Sequence, residues 1–216
     1  MLDELKTDGH SPMKFLCDDN HIYYCKYRSG NSLNPQEIDF LVYEVVRYFL
    51  LKELGIPTPE IAFVHLSKNS FDPKDLKINK KYAKPEVICF GSREVVGNNL
   101  ITGLEIVSSK KDFIKYFNPQ DLIRISFFDL WVANTDRGRE QNFNLLADTY
   151  LKKTRILAFD QAFTFHGESG LGVFNSKWPI NTNHNLAKTQ FFKSIIRFIP
   201  KAERELIAKK NVRFIT

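Results

Sequence analysis

The sequence predicts an α+β fold in which strands dominate the first part of the chain and helices dominate the rest. Two kinds of pattern carry this prediction. Short apolar runs bounded by turn-forming residues are typical of strands, and they lie at 13–17, 21–27, 61–66 and 86–91. Apolar residues at helical spacing are typical of helices, and they lie at 34–54, 118–132, 191–199 and 202–210.

Loop-forming residues divide the chain near its middle. The Gly-Asn-Asn tripeptide at 97–99, followed by Gly103, is the strongest loop signal between the two sets of elements. We therefore predict two units: 1–97, with strands and the long helix, and 98–216, which is mainly helical. A chain of 216 residues with 43% hydrophobic content can build one sizeable core or two small lobes.

The second half begins with a helix and continues into a hairpin. Asn118 is positioned to cap the helix and Pro119 suits its first turn. Its residues are so uniformly apolar that we expect it to be buried. Two short apolar runs, 144–147 and 155–159, then read as strands joined by a polar connection over 148–154.

Polar residues follow these apolar elements at the points where a rigid scaffold can aim them together. The four of interest are Asp136, Asn142, Asn144 and Asp160. Metal-dependent phosphoryl transfer needs one carboxylate near the attacking hydroxyl, and a second carboxylate with an amide oxygen on magnesium. Asp and Asn are also common as caps and turn formers, and any one of them alone is more often structural. Their joint order favours phosphoryl transfer.

The motif in this region resembles the catalytic core of the HipA-like kinases. It consists of Asn-x-Asp-Arg at 134–137, Asn-x-Asn-Leu-Leu at 142–146, and an apolar run that ends in Asp160. The resemblance implies a two-lobed protein-kinase-like fold, with a β-rich N-terminal lobe, a mainly helical C-terminal lobe, and ATP and Mg²⁺ between them. It further implies transfer of the γ-phosphoryl group to a hydroxyl, most simply a Ser or Thr of a protein substrate.

The resemblance also implies roles for the acidic and amide residues. Asp136 would orient or deprotonate the acceptor hydroxyl, and Asp160 would bind magnesium with Asn144 or Asn142. In the protein-kinase loop an Asn stands five residues after the catalytic Asp, but here that position is Gln141. The sequence alone leaves both asparagines open as the metal ligand.

In the first half, the resemblance implies that Lys26 holds the nucleotide phosphates and that backbone groups around Phe90 and Ser92 face the adenine. Lys26 also fits an ordinary exposed strand lysine. Glu44 lies at the edge of the buried stripe of the 34–54 helix and needs a cation, which is Lys26 in the kinase arrangement. A neighbour such as Arg47, or water, is the competing partner of Glu44.

Composition narrows the binding partners and the cellular compartment that remain open for this protein. The net charge of +6 suits an anionic partner, but the basic residues are scattered and no aromatic pattern supports direct nucleic-acid binding. The three cysteines form no CxxC pair, which fits a reducing compartment. No apolar run approaches the roughly 18 residues of a membrane span, and the polar N-terminus is unlike a signal peptide. We expect a cytoplasmic protein that is independent of membranes.

Two further expectations concern activity and partners. The displaced loop asparagine and the lack of a glycine-rich loop leave room for an alternative, a catalytically inactive nucleotide-binding or partner-binding module of the same fold. The amphipathic helices after residue 190 could either pack beneath the catalytic loop or present an apolar face to a regulatory protein partner.

Overall fold

The computed structural model describes residues 1–6, 11–26, 35–80, 83–102, 106–134, 137, 143–160, 164–165 and 185–215, without the side chains of 35–40 and 212–215. Within these residues the fold is a mixture of antiparallel sheets and helices, which confirms the predicted α+β class.

The first sheet has five antiparallel strands in the order β1-β2-β3-β5-β4. They are β1 (Asp3–Glu4), β2 (Met13–Leu16), β3 (Ile22–Lys26), β4 (Ile61–Leu66) and β5 (Val87–Arg93). One face is packed around Met13, Phe15, Cys25, Val64 and Cys89. Gly91 allows this packing, since an added Cβ would lie 2.7 Å from Cγ2 of Val64. The predicted strand at 86–91 continues two residues further than expected, so Ser92 belongs to β5.

The long helix α1 (Pro35–Glu53) crosses from β3 to β4 and confirms the helix predicted at 34–54. It ends at Gly55, whose φ of +63° is a conformation that glycine adopts without a steric penalty. Leu51 and Ile56 are almost fully buried in the core formed by the second half of the chain. The helix therefore lies between the first sheet and that core.

The polar, turn-rich sequence of 67–81 predicts a surface excursion, but part of this segment is buried. Phe71, Leu76 and Asn79 are buried beside the first sheet. The carboxylate of Glu4 accepts hydrogen bonds from the backbone N–H groups of Lys77 (2.6 Å) and Asn79 (2.8 Å). This long-range contact holds the segment against β1.

The second sheet has three antiparallel strands, β6 (Asn99–Leu100), β7 (Leu145–Tyr150) and β8 (Lys153–Ala158), in that order. The predicted connection over 148–154 is wrong in length, because the strands run on until only Leu151 and Lys152 form the turn. Both residues have positive φ, as a two-residue hairpin turn requires. Asp148, expected in the connection, forms an ion pair across the two strands with Arg155, which was expected in the second strand.

Four helices complete the described part of the second half: α2 (Lys110–Phe113), α3 (Asp121–Trp131), α4 (Gln190–Ile196) and α5 (Lys201–Ile215). The core of this region joins α3, α4, β7 and β8, with Leu122, Ile125, Leu145, Ile156 and Phe191 essentially inaccessible. The burial of α3 was predicted from its uniformly apolar residues. No helix among the described residues is long and apolar enough to cross a membrane.

Asn118 does not cap α3 with its side chain, contrary to the sequence prediction. Its Nδ2 donates to the carbonyl of Ile156 (2.9 Å), and its Oδ1 accepts from the N–H of the same residue (2.8 Å). The capping position is occupied by Gln120, without a side-chain bond. The amide of Asn118 therefore fastens β8 to the start of the helix, a tertiary contact that local patterns do not reveal.

Candidate active site

Three charged side chains meet where β3, α1 and the end of β8 approach each other. Nζ of Lys26 lies 2.6 Å from Oε1 of Glu44 and 2.8 Å from Oδ1 of Asp160. These residues are 18 and 134 positions from Lys26 in the sequence. Of the partners left open for Glu44, the structure shows Lys26.

Burial and charge act in opposite directions on this cluster. Burial by itself lowers the pKa of Lys26, but the carboxylates of Asp160 and Glu44 reverse this and raise it above its ordinary value. Burial raises the pKa of Glu44 even though Lys26 acts to lower it, and Asp160 adds to the rise. Lys26 therefore stays charged, and the cluster holds one cation between two acids.

A narrow cleft adjoins the cluster between α1 and the first sheet. Its lining includes both acids of the cluster together with Tyr48, Phe90 and Ser92. Phe90 is the direct neighbour of Lys26 across β3 and β5. The two strand residues proposed from the sequence to face a nucleotide base thus border the same space as Asp160.

Asn144 and Asp160 stand at the same end of the β7–β8 hairpin. Leu145 and Ala158 are paired across the strands, so Asn144 precedes one strand and Asp160 follows the other. The N–H of Phe159 donates to the carbonyl of Asn144 at 3.1 Å and holds the two ends together. Both residues have left-handed backbone, with φ of +46° for Asn144 and +44° for Asp160. Outside glycine, Asn and Asp adopt this region most readily.

A buried ion pair supports the chain on both sides of the loop that contains Asp136. Nε of Arg137 lies 2.7 Å from Oδ2 of Asp129, a charge contact without the alignment of a hydrogen bond. Nη1 of Arg137 donates to the carbonyls of Phe143 (2.9 Å) and Asn144 (2.5 Å). Asn134 donates to Oδ1 of Asp129 at 2.9 Å.

This ion pair lies in the interior, since at most 1% of either side chain is exposed. Burial raises the pKa of Asp129, and the positive charge of Arg137 opposes that rise. The arrangement fixes Asn134 before the loop and Asn144 after it. Asp136 and Asn142 themselves lie outside the described residues.

Sequence reasoning did not assign functions to Arg47, Asp129 or Arg137. All three are nine-tenths or more buried, and charged side chains are rarely buried to that extent unless they are paired. The sequence signal for two of them was their position in a helix. Asp129 lies between Phe128 and Leu130 in a mainly apolar helix, and Arg47 falls one turn after Glu44 on the buried side of α1. Arg137 directly follows Asp136 within the motif.

A strand lysine paired with a helix glutamate, beside an aspartate that follows a hairpin, is the arrangement of a phosphotransferase of the kinase class. The model of the HipA-like kinase family matches residues 6–207. The chain belongs to the HipA-like kinase family. No curated protein and no solved structure shows significant similarity to it.

Proposed function

We propose that this kinase is ATP- and magnesium-dependent and transfers the γ-phosphoryl group to a Ser or Thr hydroxyl of a protein. The observation that carries the proposal is the meeting of Lys26, Glu44 and Asp160 at distances of 2.6 and 2.8 Å. The proposal extends to a two-lobed arrangement, with the nucleotide between a unit at 1–97 and a unit at 98–216. The family match and the two separate sheets support this division.

Lys26 is proposed to hold the phosphates, and Glu44 to keep Lys26 in position. The ammonium group is already fixed by two carboxylates, so it needs little reorganisation to face a phosphate oxygen. Glu44 is only 7% exposed in its side chain, whereas Asp160 is 43% exposed. Lys26 can therefore exchange Asp160 for a phosphate while its bond to Glu44 remains.

Asp160 and one asparagine are proposed to hold Mg²⁺. Magnesium prefers oxygen ligands and is commonly bound by one or two carboxylates together with substrate phosphates. The donor set fits this preference, because the half-exposed carboxylate of Asp160 and the amide of Asn144 are at one hairpin end. Asn142 stays a second candidate. Magnesium held by these residues would supply positive charge against the phosphates.

Asp136 is proposed to accept or orient the proton of the attacking hydroxyl. It directly precedes Arg137, whose buried side chain is tied to Asp129 and to the backbone at 143–144. A loop fastened in this way can present a carboxylate with little loss of entropy at the moment of reaction. Backbone groups at Phe90 and Ser92 are proposed to face the adenine, because both residues line the cleft.

A second candidate is a catalytically inactive module that binds nucleotide. One observation favours it: Gln141 occupies the position five residues after Asp136, where an active protein-kinase loop has Asn. Such a module would be stabilised thermally by ATP and magnesium without transferring phosphate.

Incubation with γ-labelled ATP and Mg²⁺ separates the two candidates. Kinase activity predicts label on the chain itself or on an added protein, with loss of about a thousandfold in Asp136→Asn because that group acts on the hydroxyl in the transition state. Asp112→Asn is the matched control, since the Asp112 carboxylate bonds only Ser109 and Lys115 at the exposed helix α2 among the described residues.

Three results distinguish the outcomes. Transfer that is abolished in Asp136→Asn and retained in Asp112→Asn supports the proposal. Stabilisation by nucleotide without any transfer supports the inactive module. Near-normal transfer by Asp136→Asn contradicts the role of Asp136.

A further inference from the structure

One turn of α1 makes three buried contacts with the rest of the site. The ring of Tyr43 packs 5.5 Å from the ring of Phe165, measured between centroids. Glu44 bonds Lys26. Nη1 of Arg47 donates to Oγ1 of Thr164 at 2.9 Å, and both of these residues are completely buried.

The two residues that α1 contacts, Thr164 and Phe165, lie only four and five positions after Asp160 in the sequence. The opposite side of this segment is also fastened, because the N–H of Phe165 donates to the carbonyl of Val132 at 2.7 Å. Val132 lies at the end of α3, between Asp129 and Asn134 in the sequence. Arg47 and Tyr43 thus link α1 to the same structure that supports the loop of Asp136.

Core packing alone does not explain a charged residue at position 47. A guanidinium with no exposed surface carries a large desolvation cost, and an apolar side chain of similar size would avoid it. Burial lowers the pKa of Arg47, and Arg137 acts in the same direction, while Asp129, Glu44 and Asp160 oppose this. Arg47 contributes a defined hydrogen-bond geometry, because a planar guanidinium fixes the orientation of the groups that it bonds.

We propose that Arg47 is a positioning residue that sets α1 against the segment after Asp160, and thereby keeps Glu44 on Lys26 during phosphoryl transfer. This inference rests on the proposed function. Glu44 and Arg47 are three residues apart on one helix face, so a displacement of one displaces the other. Without the bond from Arg47 to Thr164, α1 can shift and draw Glu44 away from Lys26.

The test compares Thr164→Val, Arg47→Lys and Arg47→Met with a matched control, Arg124→Met. Thr164→Val removes the hydroxyl acceptor and keeps the shape of the side chain. Arg124 also bonds the end of α1, at the carbonyl of Gly55 (3.2 Å), but it lies away from the three-residue cluster. The control therefore removes an arginine contact to α1 without touching the site.

We expect kcat to fall about a hundredfold in Arg47→Met, because misplacement of about 1 Å has an effect of that size. Thr164→Val and Arg47→Lys should lose about tenfold, because the first keeps the packing at position 164 and the second keeps the positive charge at position 47. The KM for ATP should change less than kcat in all three variants, whereas Arg124→Met should keep both constants. Should Arg47→Met fail to fold, Thr164→Val decides the outcome.

A crystal structure of Thr164→Val and of Arg47→Met gives a readout that does not require activity. Separation of Lys26 Nζ from Glu44 Oε1 beyond hydrogen-bond reach supports the positioning role, even if the wild-type chain proves inactive as a kinase. Folded variants with wild-type kcat overturn it, as does an unchanged distance of 2.6 Å. A wild-type chain that transfers no phosphate overturns the proposed function instead.

Discussion

Two lysine–glutamate pairs in this protein have the same distance between nitrogen and oxygen, but the pKa of the glutamate is shifted in opposite directions. Lys14 and Glu94 are 2.6 Å apart on the first sheet, where both side chains are partly exposed, and Lys26 and Glu44 are 2.6 Å apart in the interior. The bond from Lys14 lowers the pKa of Glu94. Burial raises the pKa of Glu44 despite its bond to Lys26.

The difference shows that distance alone does not define a functional ion pair. The outer pair has side-chain exposures of 24% and 19%, so water screens it and its partners gain little from each other. The inner pair has exposures of 10% and 7% and includes a second acid, Asp160, on the same ammonium. A buried pair of this kind adds little net stability, because the desolvation of two charges offsets their attraction. Its contribution is to fix the relative positions of the two side chains.

We expect the largest loss of phosphate transfer from substitution of Asp160, the second acid that contacts the lysine of the inner pair. Asp160→Asn should reduce phosphate transfer about a thousandfold or more, because it removes the charged group that is proposed to bind magnesium. Transfer is measured with labelled ATP over a range of magnesium concentrations. Asp148→Asn is the control on the same hairpin, since Asp148 bonds Arg155 and lies outside the cluster.

Transfer by Asp160→Asn within tenfold of the wild-type rate would remove Asp160 from the proposed metal site. Equal losses in Asp160→Asn and Asp148→Asn would mean that the hairpin, and not the ligand, was damaged.

The two lysines should differ by about a hundredfold when each is replaced by methionine. Lys26→Met removes the charge that is proposed to hold the phosphates, an interaction of the kind that typically contributes a hundredfold or more to kcat. Lys14→Met removes an equally short but partly exposed ion pair and should retain activity. The comparison is measured as kcat and KM for ATP, with thermal unfolding as the check on folding.

Similar losses in the two lysine variants would contradict the contrast between the pairs. The distinction would then lie in general stability and not in contact with the nucleotide.

The smallest expected effect is on stability. The difference in free energy of unfolding between wild type and variant should change with pH in opposite directions for Glu94→Gln and Glu44→Gln. Because the pKa of Glu94 is lowered from 4.5 in the folded state, its contribution to the free energy of unfolding is present above 4.5 and is lost as pH falls through the lowered pKa. Because the pKa of Glu44 is raised from 4.5, its contribution is complete below 4.5 and is lost as pH rises through the raised pKa.

Urea unfolding of each variant and of the wild type between acid and neutral pH measures this difference. The advantage of the wild type over Glu94→Gln should grow with pH by about 0.5 kcal/mol, a value typical of exposed pairs. Its advantage over Glu44→Gln should decrease with pH. If the advantage of the wild type changed with pH in the same way for both variants, burial would not determine the pKa of Glu44 in the inner pair.

The elements of the fold were largely predictable from local pattern. The helix at 34–54 and the strand at 61–66 carry strong periodicity, and both were found at or within one residue of these bounds. The errors arose where distant residues decide the structure. Asn118 bonds Ile156, and Glu4 holds the segment at 77–79, so neither contact leaves a local signal.

The candidate site was predictable in its motif and less so in its supports. Lys26, Glu44 and Asp160 were proposed together from the resemblance to the HipA-like kinases, and the structure brings them into contact. Their catalytic roles stay predictions, as do those of Asp136 and Asn142. Arg47 was considered only as a partner of Glu44, because its contact with Thr164 spans 117 residues.

The left-handed backbone at Asn144 and Asp160 limits which amino acids can replace them during evolution. Glycine, asparagine and aspartate accept this conformation at low cost, whereas β-branched residues do not. Two of these three side chains carry the oxygen atoms that a hard cation prefers. A descendant could therefore lose the proposed metal site by acquiring glycine at either position while the hairpin remains intact, so an inert relative could keep the whole architecture.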